Sequence, residues 1–351
     1  MSEYKTSENL TEKYRPKTLA DIVGQKSAVA QIKGMVKQKK VPSTILISGK
    51  TGLGKTTLAL VIAYLINELD YGTATQDIQE YNIGEDGGID NIRNILRTSN
   101  FKPSANFRVI ILDEVQRLSG ASAAALLKPL EKPAPNTIWI LCTDQPEKIL
   151  GTIKGRSLHL ALQGLEPEDL VPRLKHICEK EKYTFLNDKT LLSIARNANA
   201  EPRSTINLLQ ATVNAYHGGN KDVKIALAQA LELTGAGVDI LAAKLLSCVY
   251  RSAPKGVYNT LKLLKANEWI GLSNYMLYHA QFVFEQKIGV TTWMNETRKK
   301  LIESIDLEKL SLKKLTKVHT ALVETKMGLM TFQVPEFDFI LTKLLTQMED
   351  K

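Results

Sequence analysis

The run Gly49-Lys50-Thr51-Gly52-Leu53-Gly54-Lys55-Thr56 constrains the fold of this chain more than any other segment. It is a complete G-x-x-x-x-G-K-[ST] phosphate loop, which works only where a strand runs into a helix through a tight glycine turn. Its flanks supply that context: Thr44 to Ser48 is a short apolar, β-branched run, and Thr57 to Ala63 has helical spacing. Glycines let successive backbone N–H groups converge, and the following helix adds its positive N-terminal end. Gly49, Thr51, Gly52, Leu53, Gly54, Lys55, Thr56 and Thr57 thus read as a polyphosphate cradle. Lys55 is placed to reach the outer phosphates, and the Thr56 hydroxyl to meet a divalent cation.

Downstream, Ile110-Ile111-Leu112-Asp113-Glu114 is an apolar run that ends on two carboxylates. On its own such a pair is an acidic turn. Paired with the phosphate loop, Asp113 becomes the second holder of Mg²⁺ beside Thr56, and Glu114 the group that polarises an attacking water. The two motifs together imply binding and hydrolysis of a nucleoside triphosphate.

Composition narrows the class. The 351 residues suffice for two or three domains with cores of their own. No apolar run reaches membrane-spanning length and the first residues are too polar for a secretory signal, so the expected location is cytoplasmic, with no membrane contact. Cys142, Cys178 and Cys248 are far apart and read as free thiols. The net charge of +9 favours a polyanionic partner such as DNA.

From Thr44 to Leu162 apolar strand-like runs alternate with helical ones: Thr44–Ser48, Ile78–Ile83, Arg108–Asp113, Thr137–Cys142 and Ser157–Leu162. Such alternation predicts an α/β fold with a parallel sheet covered on both faces. After Gly164 the periodicity is helical, with a break at Gly218-Gly219-Asn220, a linker at Gly235-Ala236-Gly237, and further breaks at Ala253 to Gly256 and near Val334-Pro335. The expected division is a nucleotide-binding domain over residues 1–164, a small helical domain over 165–234 and an all-α domain over 235–351. Trp139, Trp269 and Trp293 are scattered and read as packing residues, not as a base-stacking platform.

With these motifs in this order, the chain resembles the ATPase subunits of DNA sliding-clamp loaders, within the AAA+ P-loop family, over residues 11–232. The segment Thr11 to Gln25, with Tyr14-Arg15-Pro16 inside it, is similar to the family's N-terminal box; this implies Tyr14, Arg15 and Val23 near adenine. Asp113 to Ser119 is similar to the bacterial motor sequence, with Pro129 a departure expected to perturb the following helix. Leu141-Cys142-Thr143-Asp144 stands at the first sensor, which falls on Asp144 with Thr143 adjacent. Arg156 stands where the family carries the arginine finger that enters a neighbouring subunit's site, and Arg203 at the start of the second-sensor helix.

The resemblance implies ATP and Mg²⁺ as cofactors, a lid domain at 165–234 and a collar at 235–351. It also implies a pentameric ring with other loader subunits, acting on a sliding clamp and primer–template DNA at the replisome. Asn82 to Leu96 resembles the segment facing the ring's pore, which puts Gly88, Ile89, Arg93 and Arg97 on the DNA backbone, with Arg117 and Ser119 beside them. The turn at Asn100 to Pro103 stands where a clamp would touch. Two rivals stay open: another AAA+ DNA machine, such as a branch-migration motor or helicase loader, and a non-hydrolysing structural loader subunit.

Overall fold

A computed structural model describes residues 9–219, 221–233, 236–261, 269–289 and 296–331. The chain divides into two compact units, one comprising residues 1–181 and 200–206 and the other residues 182–199 and 207–351.

The first unit is built on five parallel strands, β1 Thr44–Ser48, β2 Ile78–Asn82, β3 Arg108–Asp113, β4 Thr137–Thr143 and β5 Leu158–Ala161, in the order β2-β3-β4-β1-β5. The central strands β1, β3 and β4 are buried along nearly their whole length, with apolar middles, because helices cover both faces. On one face Ile45, Ile47, Val109, Ile111, Ile138 and Ile140 pack with Ile32 of α2 (Lys26–Lys37) and with Leu58 and Ile62 of α3 (Lys55–Ile66). On the other, Leu46, Ile110, Leu112, Trp139 and Leu141 pack with Ile92 and Ile95 of α5 (Ile89–Thr98) and with Leu126 and Leu130 of α6 (Gly120–Glu131). Alternate residues of each strand thus feed alternate layers. Single-turn helices α1 (Leu10–Lys13), α4 (Ile83–Asp86) and α7 (Gly151–Lys154) connect these elements, and α8 (Pro167–Glu181) follows β5.

Strand boundaries shift slightly from the sequence reading. Ile83 leaves the sheet because Asn82 caps α4, its side-chain oxygen accepting the Gly84 N–H at 3.0 Å. Pro129 disturbs α6 little: the helix continues to Glu131, and the proline lies within its last turn. Trp139 is fully buried, as a packing residue should be.

In the second unit lie α9 (Asp188–Asn197), α10 (Pro202–Gly218) beyond its first turn, α11 (Val223–Leu233), α12 (Ala236–Tyr250), α13 (Pro254–Leu261), α14 (Trp269–Lys287), α15 (Glu296–Ser304) and α16 (Leu312–Thr331). Leu245, Leu246 and Val249 of α12, Met276 and Val283 of α14, and Leu315, Val318 and Leu322 of α16 share one core. Two readings need correction. Ala236 and Gly237 are already helical, so the expected linker gives way to α12, whose Ala- and Leu-rich run overrides one glycine. The break expected at Ala253 to Gly256 falls at residues 251–253, and Pro254 opens α13, since a first-turn proline has no donor to lose. Asn220, Gly235, Trp293 and the expected break at Val334-Pro335 lie outside the described residues. Cys142 and Cys178 are buried and Cys248 partly so, all as free thiols, and burial pushes the Cys142 thiol well above its ordinary value. No described helix is long and apolar enough to cross a membrane.

The sheet edge carries a buried ion pair. Arg108 donates to Asp77 at 2.9 Å, and Asp77 also accepts the backbone N–H groups of Ser104 and Ala105 at 2.8 Å. Removing one partner strands the other charge in a dry site. Asp77→Ala should therefore destabilise this unit by about 3–5 kcal/mol in urea unfolding.

Candidate functional site

Parallel strands bring their carboxyl ends to one edge of the sheet, and the motif residues meet there. The phosphate loop leaves β1 at Gly49 and enters α3 at Lys55. Gly52 and Gly54 hold φ of +82° and +88°, which side-chain-bearing residues rarely adopt. Lys55 folds back over the loop, its ammonium donating to the carbonyls of Gly49 at 2.9 Å and Lys50 at 3.1 Å.

Asp113 ends β3 beside the first turn of α3. Its Oδ2 accepts a short hydrogen bond from the Thr56 hydroxyl, and its Oδ1 accepts the Glu114 N–H at 2.9 Å. Glu114 itself sits at φ +57°, in the left-handed region, where its carboxylate pairs with Arg117 at 2.7 Å.

These groups line one cleft of about 220 Å³ within the first unit, shared by the loop, Asp113, Glu114, Gln116, Asp144 and Arg203. Tyr14, Arg15, Pro16, Ile22 and Val23 form another part of its wall. A hydroxyl and a carboxylate already in contact are the hard oxygen donors that Mg²⁺ prefers, and Mg²⁺ ordinarily completes its shell with water and substrate phosphate. The residues therefore fit an ATP·Mg²⁺ ligand.

At the end of β4 the two residues expected at the first sensor part company. Thr143 is fully buried and donates its hydroxyl to Gln116 at 2.9 Å. Asp144 lines the cleft instead: its Oδ2 accepts the Thr51 hydroxyl at 3.2 Å, while its Oδ1 is buried with no hydrogen-bond partner in the protein. A buried polar atom without a partner is costly, so this carboxylate stands under-satisfied at the cleft wall.

The N-terminal wall is held by contacts that sequence reading missed. Arg173 on α8 donates to the Tyr14 carbonyl at 2.6 Å, and the Tyr14 hydroxyl donates to Glu181 at 2.5 Å beside the Lys13–Glu181 pair at 2.6 Å. Gln25 and Gln163 exchange two hydrogen bonds at 2.8 and 2.9 Å, fastening the segment below the loop. Arg15 donates to the Thr57 hydroxyl at 3.2 Å, tying the wall to α3. No local pattern announces these ties, since each joins residues far apart in the chain. Burial raises the nearby Glu80 carboxyl; Arg15 opposes the rise and Asp113 adds to it.

Arg156 and the expected DNA residues lie outside the cleft. Arg156 pairs with Glu131 at 2.8 Å and donates to the Thr152 carbonyl at 2.8 Å. Gly88 caps α5, which opens at Ile89, and Arg93 and Arg97 are exposed one turn apart. Arg93 pairs with Asp90 at 3.1 Å. The Ser119 hydroxyl caps α6 by accepting the Ser122 N–H at 3.1 Å, and the Ser122 hydroxyl bonds the Gly87 carbonyl at 2.9 Å, so the heads of α5 and α6 are joined. Phe101, in the expected clamp turn, is exposed.

Residues 24–166 match the family described as DNA polymerase III, delta subunit. The chain is 35% identical over 208 residues to the replication factor C small subunit of Saccharolobus solfataricus, a match covering 58% of this chain and 61% of that one. It is 35% identical over 234 residues to DNA polymerase III subunit gamma of Buchnera aphidicola, covering 62% and 63%. The chain thus spans under two thirds of the length of these curated relatives. The Thermotoga maritima RuvB Holliday junction branch migration motor superposes with a TM-score of 0.53 at 19% identity, over 67% of this chain and 79% of that one, which shows a shared fold. The resemblance to clamp-loader subunits read from the motifs is shown by the sequence relatives.

Hydrogen bonds donated by Lys13 and Tyr14 hold the Glu181 carboxyl below its ordinary range. A lowered folded value means that the tie is present at neutral pH and is lost as pH falls through the acidic range. Glu181→Gln, which keeps the shape and removes the charge, should lower amide-exchange protection of Tyr14 and Arg15 by roughly three- to tenfold at pH 7. In wild type the same protection should fall on acidification.

Proposed function

We propose that this chain is an ATP-hydrolysing subunit of a clamp loader, which opens a sliding clamp and places it on primer–template DNA. One observation carries the reading: the phosphate loop, the Thr56–Asp113 contact and Glu114 converge in one cleft of a chain whose sequence relatives are subunits of replication factor C and DNA polymerase III. The residues then take these roles. Backbone N–H groups from Gly49 to Thr57 cradle the phosphates, and Lys55 turns from the Gly49 and Lys50 carbonyls to the outer phosphates. Thr56 and Asp113 would hold Mg²⁺, which when bound neutralises charge on the phosphates. Glu114 accepts a proton from the attacking water. Asp144, with its unpartnered oxygen, is the better placed first sensor, and Arg203 the second. Tyr14, Arg15 and Val23 border the base.

Arg156 lies away from its own cleft and would serve a neighbouring subunit's site as arginine finger. The division into a nucleotide-binding domain at 1–164, a lid at 165–234 and a collar at 235–351 belongs to this reading, as does a pentameric ring with other subunits in the cytoplasm. DNA would run along the head of α5, past Arg93 and Arg97. Arg117 would link it to chemistry: a backbone phosphate that draws Arg117 away frees the Glu114 carboxylate with which it now pairs.

The test is steady-state ATPase of the chain with primed DNA, its clamp and partner subunits, separately and together. Strong stimulation only in the complete mixture supports a loader. Activity driven by DNA alone supports a translocating motor such as the RuvB fold also serves, and inactivity in every mixture supports a structural subunit. Arg156→Ala should assemble, bind ATP and turn over about 10³-fold more slowly; normal turnover would falsify the finger. Arg117→Ala should raise hydrolysis in the absence of DNA and shrink the stimulation that DNA gives.

A further inference from the structure

A carboxylate that none of the roles above uses lies against Gly52 of the phosphate loop. Glu201 is half-buried immediately before α10, two residues ahead of Arg203. Its Oε2 accepts the Ser204 hydroxyl at 2.8 Å, and its carbonyl accepts the Thr205 N–H at 2.8 Å and the Thr205 hydroxyl at 2.7 Å, so it caps the helix. The rest of its side chain lies on the phosphate loop. A Cβ built on Gly52 would stand 1.5 Å from Glu201 Oε1 and 2.2 Å from its Cδ. The carboxylate therefore occupies the space that any larger residue at position 52 would need. Position 52 is an unspecified place in the G-x-x-x-x-G-K-[ST] pattern, so the motif does not demand glycine there. A φ of +82° and the seat of Glu201 do.

The electrostatic consequence is specific. A fixed negative charge touches the backbone that collects a polyphosphate, while Arg203 supplies the opposite charge from the same short turn. Repulsion grows with the charge of the ligand, so it acts more on a triphosphate than on a diphosphate. We propose that Glu201 is a specificity-determining residue of the nucleotide site: seated on Gly52, its carboxylate holds down the preference for triphosphate over diphosphate and offsets part of the attraction of Lys55 and Arg203. The balance between the two nucleotides is then set at the loop itself, by a lid residue whose position Gly52 makes possible. This inference rests on the nucleotide reading above.

Equilibrium binding of ATP and of ADP, each with Mg²⁺, to the full chain and to Glu201→Gln tests it. Glutamine has the same shape and keeps an oxygen for the Ser204 hydroxyl, so the charge is removed and the packing retained. The variant should bind ATP roughly three- to tenfold more tightly, with a clearly smaller gain for ADP. The gap between variant and wild type should narrow as salt is raised, because screening weakens the repulsion. Equal changes for both nucleotides, no change, or a gap indifferent to salt would overturn the proposal while leaving the site intact. A wild-type chain that binds neither nucleotide would overturn the nucleotide reading and this inference together.

Discussion

The contact between Thr56 and Asp113 is the interaction on which the rest of the structure depends. It joins the first turn of α3 to the end of β3, and it forms only if three conditions hold together. β1 and β3 must flank β4 in parallel, so that their carboxyl ends lie side by side. The loop must turn sharply enough to start α3 directly above the sheet, which the left-handed Gly52 and Gly54 allow. Both faces of the sheet must be covered, so that neither strand end frays; two apolar layers provide this, Ile45 and Ile111 on one side and Leu46 and Leu112 on the other. Burial of such side chains contributes about 1.5–3 kcal/mol each before entropy is counted.

Around that contact the polar groups are held by local geometry. Glu114 is fixed by a left-handed backbone and by Arg117, Lys55 by two loop carbonyls, and the N-terminal wall by Arg173, Glu181 and the Gln25–Gln163 exchange. Under the proposed function, Lys55 and Glu114 are paired with groups that a phosphate or a nucleic-acid backbone would displace. A site of this kind changes state by exchanging hydrogen-bond partners, as the proposed loader would require.

Much of this was legible in the sequence for a physical reason. Strands buried on both faces read as unbroken apolar runs, so β1, β3 and β4 were visible from composition alone, and a phosphate loop has few alternative structures. The edge strand β2, with Gln79 and Glu80 in it, was legible mainly from its place between helical segments, and its end was set by the Asn82 cap. The start of α12 was not legible, because Gly235-Ala236-Gly237 has a linker's composition while the Ala- and Leu-rich run behind it favours helix. The ties of Gln25 to Gln163, of Tyr14 to Glu181, and of Glu201 to Gly52 were invisible, since each joins side chains that only the folded chain brings together. Asp144 shows the same limit: the sequence put the first sensor on Asp144 with Thr143 adjacent, and the fold adds that the Thr143 hydroxyl is buried against Gln116 while Asp144 lines the cleft.

The central claim, that this cleft is an ATP·Mg²⁺ site, is tested most directly by calorimetric titration of ATP with Mg²⁺ into the wild-type chain and into Lys55→Ala. The account predicts one site per chain, weakened at least about 10- to 100-fold when the charged donor is removed. Absence of binding by wild type, or equal affinity in the two proteins, would contradict it.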